Sequence, residues 1–195
     1  MNNKTLDYYN YHAQSFVSST ISVNFKPIQD KFINALRGKQ VLDFGCGSGR
    51  DAKYFLEEGL CVTAVDGSEE MCRYAREYTG IPVRHMLFQE LDAQNQYDGI
   101  WACSSILHLP KNELREVLSK MVDALCGDGI IYTSFKYGNF EGERNGRYFT
   151  DFSIETFTEF IKDIEKISME TYWITTDVRP GRGEEKWLNV MLRKH

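Results

Sequence analysis

What the sequence lacks narrows it first. Its five cysteines, Cys46, Cys61, Cys72, Cys103 and Cys126, are an odd number with no Cys-x-x-Cys spacing, and several sit inside apolar runs. Neither a disulfide framework nor a metal centre is expected; small buried thiols are. No apolar run approaches the roughly 18 residues of a membrane span, and the opening MNNKTLDYYN has neither the charged start nor the apolar centre of a secretory signal. A cytoplasmic protein without a membrane partner is expected. Positive charge is in deficit, with 23 Lys and Arg against 28 Asp and Glu and a net charge of −5. That argues against a broad phosphate-backbone footprint and so against nucleic acid as a partner. Only four prolines interrupt the 195 residues, and no repeat, low-complexity tract or linker is visible. Residues 1–195 are therefore read as a single domain, large enough for a substantial core.

What is present alternates between strand and helix patterns. Residues 39–44 form a short apolar strand, 50–58 carry apolar residues at helical spacing, and 61–65 read as a second buried strand. A helix over 68–78 with Ser68 as N-cap, a strand over 81–87 and a fourth strand over 99–103 follow. The strongest amphipathic pattern, residues 111–125, precedes "GDG" and a strand over 130–134. After a polar loop at 137–152 come a helix near 154–164 and two long strand-like runs, 166–176 and 186–193, expected to pair as an edge hairpin. The fold class is α/β: a doubly wound, seven-stranded, mostly parallel sheet with a C-terminal antiparallel hairpin. Ligands bind such sheets beyond the carboxyl ends of the strands.

One such end reads VLDFGCGSGRDA, with glycines at 45, 47 and 49. The dinucleotide fingerprint Gly-x-Gly-x-x-Gly is absent, because the third glycine comes one residue early and Arg50 stands in its place. Asp43 precedes the first glycine, where a carboxylate suits an ammonium and repels a pyrophosphate. Asp66 ends the second strand, where it can accept both hydroxyls of a ribose. A lone Gly-x-Gly is most simply a tight turn; three glycines between two placed acids point to a ligand with a sugar at one end and positive charge at the other.

This stretch resembles motif I, acidic-x-Gly-x-Gly-x-Gly, of the Rossmann-like (class I) S-adenosylmethionine-dependent methyltransferases. AVDGSEEM resembles the acidic motif of strand 2, YDGIWACSSILHL the fourth strand with its turn, and ALCGDGIIY the entry to strand 5, so the likeness covers residues 41–135 in order. The resemblance implies S-adenosylmethionine as cofactor. Asp43, Gly45, Cys46, Gly47 and Gly49 would border its methionine part, Asp66 and Gly67 the ribose, and Ser68 or Met71 the adenine side, with Cys103 at the end of strand 4. Relatives place an acidic residue after strand 3, where this chain has Phe88-Gln89. Backbone groups near Phe88 with Gln89 assisting are one reading there, and plain core packing of Phe88 the other. YYNYHAQSF resembles the N-terminal lid helix of small-molecule methyltransferases, placing a lid over residues 1–25 with Tyr9 beside the cofactor and Phe16 packing inward. In length and in the Gly-x-Gly-Arg-Asp ending, the chain resembles the small tellurite-resistance and thiopurine methyltransferases.

Methyl transfer chiefly requires an acceptor held in line with the donor. The Asn/Asp-Pro-Pro-aromatic turn of nucleic-acid amine methylation is missing, since residues 102–105 read Ala-Cys-Ser-Ser, and Cys103 lacks the preceding proline of a cytosine-methylating nucleophile. Cys103 is read as a buried structural thiol. His108 is either a general base or a residue that shapes the pocket. The region after strand 5 is basic, with Lys136, Arg144, Arg147, Arg179, Arg182 and Lys186. If Lys136, Arg144, Arg147, Tyr148, Arg179 and Arg182 converge, they suit a small anionic acceptor. The opposing reading pairs the cations with Glu141, Glu143, Glu184 and Glu185 at the surface. A non-catalytic cofactor-binding module and an NAD-linked oxidoreductase are the alternatives to a methyltransferase.

Overall fold

The structure is a computed structural model and describes residues 3–179 and 181–195. Two helices, α1 (Asn3–Thr20) and α2 (Lys26–Ala35), precede the first strand, β1 (Gln40–Phe44). Then come α3 (Arg50–Glu57), β2 (Cys61–Asp66), α4 (Glu69–Thr79), β3 (Val83–His85), β4 (Tyr97–Ala102), α5 (Lys111–Ala124) and β5 (Leu125–Lys136). A short hairpin of β6 (Glu141–Arg144) and β7 (Arg147–Thr150) leads to α6 (Ile154–Ile161), β8 (Ile167–Thr176) and β9 (Lys186–Lys194). Seven strands form one sheet in the order β3-β2-β1-β4-β5-β9-β8. Strands β1 to β5 pair in parallel, and β9 pairs antiparallel with both β5 and β8. This is the doubly wound sheet with a C-terminal hairpin that the alternating pattern predicts.

Burial explains the strands. Val41, Leu42, Phe44, Ile100, Trp101, Ile131 and Tyr132 are all within 1% of complete burial, so the central strands need apolar residues on both faces and read as continuous runs. Helix α5 presents Leu114, Val117, Leu118, Met121 and Val122 to one face of the sheet, all buried. On the other face α2 inserts Phe32 against Phe55 and Trp101, with ring centroids 5.5 and 5.1 Å apart. Strand β1 lies between β2 and β4, so the chain's winding direction reverses there and opens a crevice above their carboxyl ends.

Three local readings change. The lid helix ends at Thr20 rather than near residue 25, and α2 follows, a helix that the sequence pattern does not predict. Its one start signal is a proline in the first turn, and Ile28 and Phe32 are its only fully buried apolar residues, too short a stripe to stand out. The GDG segment lies inside β5 rather than before it. Pairing jumps from Tyr97–Leu125 to Gly99–Ile130, so the glycines accommodate a bulge with Asp128 at φ 63°. The polar loop 137–152 contains the β6–β7 hairpin, closed by Asn145 and Gly146 at φ 53° and 76°, the two-residue turn that Asn-Gly favours. Among the described residues no helix is long and apolar enough to cross a membrane.

Candidate functional site

The glycine turn leaves the end of β1 with Gly45, Gly47 and Gly49 at φ 88°, 55° and 81°, all left-handed. The three differ in what faces them. A Cβ on Gly45 would stand 2.4 Å from Ser105 Cβ, and one on Gly49 would stand 2.8 Å from Thr79 Cγ2 and 3.2 Å from the Ala75 backbone. Those two are glycine partly because the protein packs against itself there. At Gly47 a Cβ would meet only Phe16, at 3.7 Å, so this peptide faces open space. The expectation that all three clear room for a ligand narrows to Gly47 and the backbone beside it. Asp66 braces the turn: one carboxylate oxygen accepts from Gly47 N at 2.9 Å, the other from Ser68 N at 2.8 Å. Burial still holds its carboxyl above the ordinary range, against the pull of these N–H groups. Asp43 is 2% exposed and its Oδ2 has no partner, while burial and then neighbouring Asp51 push its carboxyl well up.

Above the turn lies a cleft of about 1230 Å³, part of it open to solvent. One half is walled by the glycine turn with Tyr9, Phe16, Asp66, Met71 and Phe88. The other is walled by the carboxyl ends of β4, β5 and β8 and the amino end of β9, through Cys103, Ser104, Ser134, Thr175, Asp177 and Asn189, with Arg147, Phe149, Arg179 and Trp187 at its roof and rim. Charges in this second half are largely matched. Asp51 accepts from Arg50 at 2.7 and 2.9 Å, from Gln29 at 2.7 Å and from Trp101 Nε1 at 2.9 Å. Asp177 accepts from Arg179 at 2.9 and 2.5 Å and from Trp187 Nε1 at 3.2 Å. Burial pushes the Cys103 thiol up to about 12, so it stays protonated near neutrality.

Helix α1 covers the cleft. Asn10 accepts from Ser68 Oγ at 2.7 Å, and Lys4 pairs with Glu143 of the hairpin at 3.0 Å. At its centre runs a directed chain. His108 Nδ1 lies 2.6 Å from the Tyr148 carbonyl, which can only accept, so Nδ1 holds the ring proton. Nε2 therefore accepts from the Tyr9 hydroxyl at 2.8 Å, and Arg147 Nη1 donates to that hydroxyl at 3.3 Å. Burial, assisted by the nearby Arg147 charge, lowers His108 to about 3, so the imidazole is neutral.

Residues 41–129 match the model of the methyltransferase domain family. That match covers a little under half of the chain. The chain is 30% identical over 109 residues to the malonyl-(acyl-carrier protein) O-methyltransferase of Salmonella typhimurium, a match covering 52% of this chain and 42% of that protein, so it spans well under half of that relative's length. Among solved structures it superposes on the 1,6-didemethyltoxoflavin-N1-methyltransferase of Burkholderia thailandensis, bound to 1,6-didemethyltoxoflavin and S-adenosylhomocysteine. The TM-score is 0.73 at 24% identity, covering 96% of this chain and 89% of that one. It also superposes on the magnesium protoporphyrin IX methyltransferase of Synechocystis PCC 6803 with bound S-adenosylhomocysteine, at TM-score 0.74, 17% identity and 97% of each chain.

Within the matched segment and its flanks, Tyr9, Gly45, Cys46, Gly47, Asp66, Met71, Phe88 and Cys103 line the cleft, as do His108, Arg147 and Arg179. Cys103 is half-buried in the wall rather than a sealed structural thiol. Other predicted site residues are turned to internal work. Gly49 packs on α4, Ser68 Oγ caps α4 by accepting from Met71 N at 3.2 Å, and the Gly67 carbonyl accepts from His85 Nε2 at 3.0 Å. Gln89 donates to Glu113 at 2.5 Å, away from the cleft. The basic cluster disperses. Arg144 forms a bidentate pair with Asp151 at 3.0 and 3.1 Å, Lys136 pairs with Glu185, and exposed Arg182 lies 3.8 Å from Glu185. The Tyr148 side chain donates to Glu141 at 3.3 Å on the outside. Pattern reading missed Arg50, Asp51, Ser134 and Asn189. Arg50 and Asp51 sit inside the quoted glycine motif, and Asn189 interrupts the apolar run 188–192, which was the available signal.

Proposed function

We propose that the protein is an S-adenosylmethionine-dependent methyltransferase acting on a small anionic molecule. The observation that carries this reading is the continuity of the cleft. The open peptide at Gly47, with Asp66 beside it, shares one space with the polar strand ends and Arg147. A donor held at the first half and an acceptor held at the second would meet without crossing protein. The residues present fit the cofactor: Asp66, beside the turn, would take the ribose, Gly47 leaves its peptide uncovered, and Asp43, two residues before the turn, has a buried oxygen without a partner. Met71 and Phe88 would border the adenine, and Tyr9 and Phe16 close α1 over the ligand. When bound, the cofactor supplies an electrophilic methyl on a sulfonium. The chain's task is then to align the acceptor, exclude water through α1 and offset the acceptor's charge.

Calorimetric titration with S-adenosylhomocysteine and with NADH tests the reading, followed by transfer of labelled methyl to pooled acidic metabolites. Binding of S-adenosylhomocysteine alone, with label recovered in an acid, is expected. Binding of NADH would return the oxidoreductase, and binding without turnover on any acceptor would return the non-catalytic module.

A further inference from the structure

The second half of the cleft holds several groups that could in principle take a proton from an acceptor, and each already has another role. Asp51 accepts four hydrogen bonds, two of them from Arg50. Asp177 is held by both arms of Arg179 and by Trp187. The single basic nitrogen of His108 receives the Tyr9 hydroxyl proton. A proton moved onto that nitrogen would place an imidazolium beside the Arg147 guanidinium. Cys103 is protonated, and Asp66, in the other half, holds the backbone N–H groups of Gly47 and Ser68. Among the described residues the cleft presents no proton acceptor without a partner to the space where an acceptor would lie.

Positive charge is distributed the opposite way. Arg50 and Arg179 are neutralised by Asp51 and Asp177. Arg147 is different: Nη1 donates to Tyr9, Nε is buried with no partner, and no described carboxylate forms an ion pair with it. Its guanidinium is fixed in place by rings, 4.4 Å from the Tyr8 centroid and 5.1 Å from that of Phe149. The hairpin turn makes room for this stack, since a Cβ at Gly146 would stand 3.2 Å from the Tyr8 ring. A buried donor without a partner costs about 1–3 kcal/mol, a cost that a ligand oxygen would remove.

We propose that the acceptor is a planar conjugated monoanion whose ionised heteroatom is itself the nucleophile, and that Arg147 selects it by pairing with the delocalised charge. The inference rests on the methyl-transfer reading. A single charge follows from the single uncompensated guanidinium, and planarity from the aromatic rings of Phe149, Phe25 and Trp187, which line the same space. In the transfer, a lone pair of the ionised heteroatom forms a bond to the methyl carbon of the methylsulfonium donor as the carbon–sulfur bond breaks and its electron pair returns to sulfur. The negative charge of the acceptor and the positive charge of the sulfonium both disappear, and no proton moves. A site without a proton acceptor can carry that reaction; it cannot serve a poorly acidic hydroxyl.

Phenols of graded acidity, pentafluorophenol, 4-nitrophenol and phenol, are suitable probes, with benzyl alcohol as the uncharged control. In protein saturated with S-adenosylhomocysteine, 4-nitrophenolate is expected to bind, and its visible absorption to report a bound pKa lowered by about one unit. Arg147→Gln is expected to weaken that binding about tenfold or more and to abolish the shift, while S-adenosylhomocysteine affinity stays within about twofold; Arg147→Lys should keep part of the shift. In turnover, the acidic limb of the pH profile should move with the acidity of each phenol. A limb at the same pH for every phenol would reveal a protein base and overturn the proposal. So would preferential binding of the neutral phenol, or absence of saturable phenolate binding to the S-adenosylhomocysteine-loaded protein. Failure to bind S-adenosylhomocysteine at all would instead remove the reading on which the proposal rests.

Discussion

The two halves of the cleft are built differently. The half around the glycine turn is backbone, made by one continuous stretch of chain at the end of β1 and braced by Asp66 from the neighbouring strand. The half around Arg147 is side chain, assembled from α1, the ends of β4 and β5, the β6–β7 hairpin and the β8–β9 edge. A backbone cradle tolerates almost no change at the positions that form it and reads plainly from a motif. A wall of side chains from five places tolerates substitution and can change its ligand while the fold persists.

The largest contrast should come from two glycines within the cradle. Gly45→Ala forces a Cβ into Ser105 at 2.4 Å and is expected to destabilise the fold by about 3 kcal/mol, taking ligand binding with it. Gly47→Ala meets only Phe16 at 3.7 Å and carries the strain of its positive φ, about 1 kcal/mol, with S-adenosylhomocysteine affinity reduced beyond that loss. Urea denaturation and calorimetry on both variants check this. Equal losses in stability for the two would erase the distinction between packing glycine and ligand glycine.

Next in size is a pH effect from the side-chain half. His108 is 3% exposed, and its pKa falls from 6.5 in the unfolded chain to about 3 in the fold. Between those values the unfolded chain binds the proton and the folded one does not, so stability rises with pH across the window and is lost as pH falls below 6.5. Lowering the pH from about 7.5 to about 5 should cost about 2 kcal/mol through this group, and His108→Gln should flatten the stability profile by that amount. A profile unchanged by the substitution would mean that the ring is not held neutral by Tyr9 and the Tyr148 carbonyl.

The smallest contrast lies among the arginines of the rim. Arg179→Gln strands a buried carboxylate, Asp177, and is expected to cost about 2 kcal/mol. Arg182→Ala removes an exposed cation 3.8 Å from Glu185 and should change stability by less than about 0.5 kcal/mol. Thermal unfolding of the two side by side would separate an arginine that holds the wall from one that only decorates it, and similar shifts would contradict the pairing.

The elements that were legible in the sequence are those whose cause is local. Residues 111–124 announce a helix because every third or fourth residue must face the core, and 41–44 a central strand because both faces are covered. Helix α2 stayed hidden because only two of its apolar residues are fully buried, and the β6–β7 hairpin because short strands outside the main sheet carry no apolar alternation, although Asn145-Gly146 marks their turn. Charge counting along the loops grouped Arg144, Arg147, Arg179 and Arg182 as equals. Only their partners distinguish them, and those partners lie on other elements or depend on how a loop folds back.

By itself the sequence determined the doubly wound sheet, the glycine turn and the place of Asp66 opposite it, since periodicity and a single turn motif suffice for these. Which glycine meets a ligand, which arginine keeps an unpartnered charge, and which way the His108 proton points were decided by the tertiary structure. Each depends on a neighbour in space: Ser105 against Gly45, Asp177 against Arg179, and Tyr9 between Arg147 and His108. Desolvation and hydrogen-bond geometry act between atoms near in space, and a polar residue's role is fixed only when folding has brought its partners within about 3 Å.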